Sequence, residues 1–74
     1  MQTSFHAGER FLQRVMSKTA YTNEDVFFAM RYIDKLLSDV VVNSTTKHFV
    51  LPGFEQYKAV CIQNRIVTII PKAA

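Results

Sequence analysis

His6, Arg10 and Arg14 stand four residues apart in the run Ser4-Phe-His-Ala-Gly-Glu-Arg-Phe-Leu-Gln-Arg14. On a helix, that spacing projects all three side chains from one face. An imidazole beside two permanent cations is what a site needs to grip a phosphate and move a proton near it. The same spacing also describes an ordinary solvated helix face. Glu9, three residues from His6, can orient the ring. Near the other end lies Arg65-Ile-Val-Thr-Ile-Ile70. Strand alternation puts Ile66, Thr68 and Ile70 on one face and Val67 and Ile69 on the other. A hydroxyl between isoleucines has a plain explanation, since threonine is a favoured strand residue that bonds backbone carbonyls. The functional alternative makes Thr68 a phosphate donor, provided its face looks onto the edge of the first helix.

The elements that must carry these groups are legible in the periodicity. Thr3 or Ser4 can cap a first helix running to about Lys18. At about 100° per residue, Phe5, Phe11, Leu12, Val15 and Met16 form its apolar arc, opposite His6, Glu9, Arg10, Gln13, Arg14 and Ser17. Gly8 costs about 1 kcal/mol against alanine in a helix, so its presence predicts close approach of another backbone. Thr22-Asn-Glu-Asp25 starts a second helix, with Thr22 or Asn23 as cap and carboxylates favouring the positive end of the dipole. That helix should reach about Val40, burying Val26, Ala29, Met30, Ile33, Leu36, Leu37 and Val40. Phe28 alone among its large apolar residues projects onto the wet face. A polar loop at Asn43 to Thr46 precedes a short strand, Lys47 to Leu51, and Pro52-Gly53 suits a type II turn. Gln56 to Ile62 and Arg65 to Ile70 are strands joined at Gln63-Asn64, where Asn tolerates a left-handed conformation. The expected fold is a single α+β domain, residues 1–74, with two N-terminal helices packed on a three-stranded antiparallel β-meander.

Composition limits the function classes. At 74 residues, 49% hydrophobic and 20% charged, the chain has globular composition, and a domain this small buries roughly 60% of its unfolded surface. A shallow groove is expected rather than a deep pocket. Cys61 is the one cysteine, so it reads as a small buried strand residue, with no internal disulfide, no zinc set and no cofactor expected. Neither an export signal nor the ~20 apolar residues of a membrane span is evident, which predicts a soluble, cytoplasmic protein. The net charge of +3 permits a polyanionic partner without requiring one. Its direction matters more: Arg10, Arg14 and Lys18 make the first helix basic, whereas the second is balanced.

In order along the chain, His6-Ala7-x-x-Arg10-x-x-x-Arg14, Asn23-Glu-Asp-Val26, Tyr57-Lys-Ala-Val60 and Arg65-Ile-Val-Thr68 resemble small bacterial and phage domains of the barnase–EndoU–colicin–RelE grouping. The likeness is to its RelE-like branch with a His-Ala-x-x-Arg helix. It implies a RelE-like fold and metal-independent endoribonuclease chemistry, in which the RNA 2′-hydroxyl attacks the adjacent phosphorus and leaves a cyclic phosphate. Such a reaction needs proton transfer and cations for the crowded phosphorane. By this resemblance His6 would titrate, Arg10 would stabilise charge and Thr68 would bind phosphate. Arg14 and Lys58 would hold the RNA backbone, and Tyr57 would stack on a base. Toxin-like domains of this kind imply an antitoxin as partner. The pattern leaves a second proton-transfer group unassigned, since His48, the other histidine, reads as an ordinary strand residue.

Two other functions fit the same residues. A non-catalytic bacterial or phage module could bind a host protein as inhibitor or adaptor, and Phe28 with the balanced second helix favours that. A homodimer could form through Phe28 or through an open strand edge.

Overall fold

Ser4 ends one element and begins the next. Its N–H donates to the Ile66 carbonyl at 2.8 Å, and its hydroxyl accepts from the Ala7 N–H at 3.0 Å, the N-cap bond that satisfies an otherwise orphaned helix donor. The computed structural model describes residues 2–38 and 47–72. These form β1 (Gln2–Thr3), α1 (Phe5–Arg10) with a π-helical turn at Phe11–Val15, α2 (Asn23–Leu36), β2 (Lys47–Leu51), β3 (Phe54–Ile62) and β4 (Arg65–Pro71). The architecture is α+β, with two helices on a four-stranded mixed sheet of order β1-β4-β3-β2. β2, β3 and β4 are antiparallel neighbours, as the meander predicts. The sheet nevertheless has a fourth strand, because β1 pairs parallel to β4 through Gln2 with Arg65 and Thr3 with Ile66. Two residues are too few for an alternating pattern, so nothing in the periodicity marks them. Thr3 therefore lies in a strand, and its hydroxyl donates to Asp34 on α2.

The first helix also departs from expectation. The Met16 N–H donates to the Phe11 carbonyl at 3.1 Å, five residues back, so this turn is wider than an α-turn. The extra residue rotates the later side chains about the helix axis. Ala7, Gly8, Phe11 and Leu12 are buried, while Phe5 and Met16, expected on the apolar arc, are exposed. The helix closes at Ser17, whose φ of 55° is left-handed and ends regular structure before Lys18. Gly8 meets its expected neighbour. A Cβ placed there would sit 3.0 Å from the Val26 carbonyl oxygen and 2.8 Å from Met30 Cγ, so α1 and α2 cross at a point where a side chain enters only if Met30 and the Val26 backbone give way.

α2 starts at a capping box. The Thr22 hydroxyl accepts from the Asp25 N–H at 3.2 Å, and the Asp25 carboxylate accepts from the Thr22 N–H at 3.0 Å. Val26, Ala29, Ile33 and Leu37 are buried, with Met30 and Leu36 partly so. α2 ends at Leu36 with Leu37 as its C-cap. The helix therefore stops short of the expected end near Val40, because Leu37 and Ser38 form a turn in which the Ser38 N–H donates to the Lys35 carbonyl; Val40 itself and the loop at Asn43 to Thr46 fall outside the described residues. Among the described residues no helix is long and apolar enough to cross a membrane.

In the sheet, Gly53 takes φ 83°, as a type II turn after Pro52 requires. Gln63 and Asn64 both take positive φ, 52° and 64°, which makes their hairpin turn type I′, the form whose twist matches the strands. The alternation expected for β4 is corrected. Cys61 pairs with Ile66 and the adjacent Val60 with Thr68, so Val67 is an extra residue in β4. This β-bulge lets Ile66 and Ile69 both enter the core beneath the helices, joining Ala59, Cys61, Phe11, Leu12 and Ile33. Thr68 does not share Ile66's face. It lies on the side of the sheet away from the helices, paired with Val60.

Candidate functional site

The polar flank of α1 is held by a connected set of side chains. Arg10 Nη1 donates to Gln13 Oε1 at 2.7 Å, Gln13 Nε2 donates to the Tyr21 hydroxyl oxygen at 2.6 Å, and Tyr21 donates to Glu9 Oε2 at 3.2 Å. The other Glu9 oxygen stands 3.7 Å from His6 Nδ1. The His6 side chain is 54% exposed and that of Glu9 only 30%. The carboxylate is therefore fixed on its inner side by tyrosine and faces the imidazole on its outer side. At 3.7 Å the contact is electrostatic and longer than a hydrogen bond. Arg10 is fixed by one bond and keeps further donors of its five.

Two residues of this set, Gln13 and Tyr21, were not singled out by sequence reasoning. Gln13 lay on the predicted polar face and could have been flagged. Tyr21 could not, because its reach to Glu9 depends on the π-turn and on the path of the connection after Ser17.

The flank lies along the outer edge of β4. Ser4 Oγ donates to the Val67 carbonyl at 3.4 Å, and Arg14 Nη1 donates to the Ile69 carbonyl at 2.7 Å. The residues that bracket His6 and Arg10 in the chain thus bind the residues that bracket Thr68. Among the described residues, no hydrogen bond joins the Thr68 hydroxyl to His6 or Arg10. His6 and Arg10 share one network, whereas Thr68, expected to look onto the edge of the first helix, is half-buried on the sheet face away from the helices and does not join them.

The remaining candidates divide between the two sides of the sheet. Tyr57 is half-buried on the helix side, and its hydroxyl donates to the Arg14 carbonyl at 2.7 Å. Arg14 and Tyr57 therefore brace the π-turn against the sheet, although Arg14 stays exposed. Lys58 is on the helix-free face. Register places His48, Val60 and Thr68 in one row across β2, β3 and β4, and Val50, Lys58 and Ile70 in the next. Ile62 and Arg65 form a third row. Exposed His48 and Arg65 thus share a face with Lys58 and Thr68. Sequence reasoning missed this, because the pairing of His48 with Thr68 through Val60 depends on the bulge.

Three surface concavities lie elsewhere. An apolar groove of about 470 Å³ is lined chiefly by Phe11, Met16, Phe28, Tyr32 and Phe54, with Lys18 and Asp25 on its margin. Two polar hollows of about 400 and 460 Å³ include Glu55, Gln56 and Tyr57. None of these three contains His6, Arg10 or Thr68. Comparison with protein-family models, with curated proteins and with solved structures gave no match.

Proposed function

We propose that this chain is a small RelE-like endoribonuclease that cleaves a single RNA strand laid against the α1 flank and the adjoining edge of β4. The observation that carries the reading is the Arg10–Gln13–Tyr21–Glu9 chain ending beside His6. It holds Arg10 and sets the Glu9 carboxylate 3.7 Å from an exposed imidazole on the same helix, which supports a cation and a proton acceptor acting together. In this reaction the 2′-hydroxyl oxygen attacks phosphorus while His6 Nε2 takes its proton. The P–O5′ bond breaks, leaving a 2′,3′-cyclic phosphate, and the departing 5′-oxygen takes a proton from solvent. Glu9 holds the ring and stabilises the imidazolium that forms. Arg10 neutralises the phosphorane oxygens, whose charge grows in the transition state. Thr68, Arg14 and Lys58 bind phosphates on either side of the β4 edge, and the exposed margin of the Tyr57 ring can stack on a base. The chemistry uses no metal, and the protein works with an antitoxin-like inhibitor in the cytoplasm.

The test is incubation of end-labelled single-stranded RNA with purified protein in the presence of chelator. Cleavage to cyclic-phosphate ends, lost by at least a hundredfold in His6→Ala and Arg10→Ala, supports the reading. RNA left whole by the wild type at high enzyme concentration overturns it. A second reading, a host-protein-binding module without chemistry, is favoured by the apolar groove between the π-turn and α2. Intact RNA together with loss of a host-protein complex in Tyr32→Ala would establish that alternative.

A further inference from the structure

The outward face of α2 is unlike an ordinary solvated helix face. Glu24, Phe27, Phe28, Arg31, Tyr32 and Lys35 are all exposed, with Phe27 at 51%, Phe28 at 62% and Tyr32 at 47%. At about 100° per residue these six fall within one continuous arc, opposite the buried Val26, Ala29 and Ile33. Three large aromatic side chains and three charges therefore share a single stripe. Phe5 packs edge-on against Phe27 at a centroid distance of 5.8 Å and widens the stripe on one side. Met16, half exposed, borders the groove that Phe28 lines on the other.

The order of residues within the stripe is self-complementary. We propose that two copies of this chain pair through α2, antiparallel, about a two-fold axis passing between Ala29 and Met30. A two-fold contact requires that each residue meet a mate at the mirrored position, and that the mate meet it in return. Along the seam Glu24 meets Lys35 of the partner subunit and Phe28 meets Arg31 of the partner subunit, an ion pair and a cation–π pair. Phe27 and Tyr32 lie on opposite margins of the stripe, and each covers one side of the seam with apolar surface. Arg31 already lies 5.0 Å from its own Phe28 ring, so in the dimer it sits between two phenyl rings. The antiparallel arrangement sets the acidic, dipole-positive start of each helix beside the basic, dipole-negative end of the other. A parallel pairing would place like charges together. A standard interface takes about 800 Å² from each partner, about a sixth of this chain's 4877 Å². The widened stripe along a 14-residue helix, about 21 Å long, is of that order.

The test is sedimentation equilibrium across a concentration range reaching the millimolar. The wild type should move from the 8.5 kDa chain mass to twice that value. Phe28→Asp should hold it at the single-chain mass with its far-ultraviolet dichroism unchanged. Glu24→Lys and Lys35→Glu should each weaken association about tenfold, because two-fold symmetry turns two attractions into two repulsions. The double variant E24K/K35E should restore it. Each single change also opposes the helix dipole and the double variant carries both penalties, so recovery can come only from the contact between copies. A wild type that stays at 8.5 kDa throughout, including one that instead captures a different protein, overturns the proposal. So does a dimer that E24K/K35E fails to restore.

Discussion

At the residue scale, the proposed chemistry turns on what Glu9 does for His6. A carboxylate beside Nδ1 acts on the ring and touches no substrate atom, so removing its charge should affect turnover without affecting binding. Glu9→Gln is expected to lower single-turnover RNA cleavage by 10- to 100-fold (roughly the range of a lost general-base orientation) while leaving the RNA dissociation constant unchanged. Tyr21→Phe removes the hydroxyl that bonds both Glu9 and Gln13 and should give a smaller loss in the same measurement. Equal losses of binding and turnover would instead make these residues parts of the scaffold. Gly8 presents a separate residue-scale question, because alanine gains about 1 kcal/mol of helix propensity there. Against that gain, its Cβ would press on the Val26 carbonyl, a backbone atom that can move only with α2. Overpacking of this kind costs about 1–3 kcal/mol. Gly8→Ala should therefore lower the urea midpoint, and a raised midpoint would show that the two helices can part at little cost.

At the scale of elements, the termini of α2 and the β3–β4 hairpin are the most local features and yield the cleanest expectations. Thr22→Ala removes the side chain that accepts from the Asp25 N–H and should cost about 1 kcal/mol in chemical denaturation. Replacing Gln63-Asn64 by Asn-Gly supplies the residues a type I′ turn prefers and should add about 0.5–1 kcal/mol. An unchanged midpoint would mean that the turn is already relaxed. These elements were legible in the sequence because their causes are local: a capping box, a 3.6-residue period, and Pro-Gly and Gln-Asn at turn positions. The bounds of β2 match the reading, and those of β3 and β4 differ by two residues or fewer. What escaped was non-local. β1 forms only because two residues find the far side of β4. The π-turn answers the need to bury Phe11 and Leu12 together while Arg14 reaches the Ile69 carbonyl. The Val67 bulge adjoins the point where Ser4 leaves the sheet. Each overrides a strict local period for a tertiary contact, and the last two decide where Arg14 and Thr68 lie. In the candidate site, the spacing of His6, Glu9 and Arg10 was visible in the chain, but their link through Tyr21 was not.

On the scale of the whole molecule, basic groups lie on both sides of β4: Arg10 and Arg14 on the α1 flank, and Lys58 and Arg65 on the helix-free face, with His48 farther off on β2. A strand of RNA bent around the β4 edge would meet charge from both. On the proposed reading Arg10, Arg14 and Lys58 each hold a phosphate, so log K should fall with log salt at a slope of about −2, taking about −0.7 per contact on a single strand. Lys58→Ala should make that slope shallower by about 0.7 and weaken binding alike for all sequences, because a lysine on phosphate reads no base. Lys18→Ala, beside the apolar groove on the far flank, should leave the slope unchanged. The bulge couples the two sides, since it turns Thr68 to the face that carries Lys58 while its neighbours' carbonyls stay bound to Ser4 and Arg14. Deleting Val67 would remove the bulge and the carbonyl that accepts from Ser4, yet leave Thr68 opposite Val60 on the helix-free face between core-facing Ile66 and Ile69. That variant should lose stability while keeping the Thr68 contact, whereas Thr68→Val, which keeps the bulge and the shape, should lose affinity alone. Fluorescence-anisotropy titrations of both variants, beside their urea midpoints, distinguish the two effects. Wild-type affinity in Thr68→Val would remove the helix-free face from the RNA path and leave the α1 flank to bind alone.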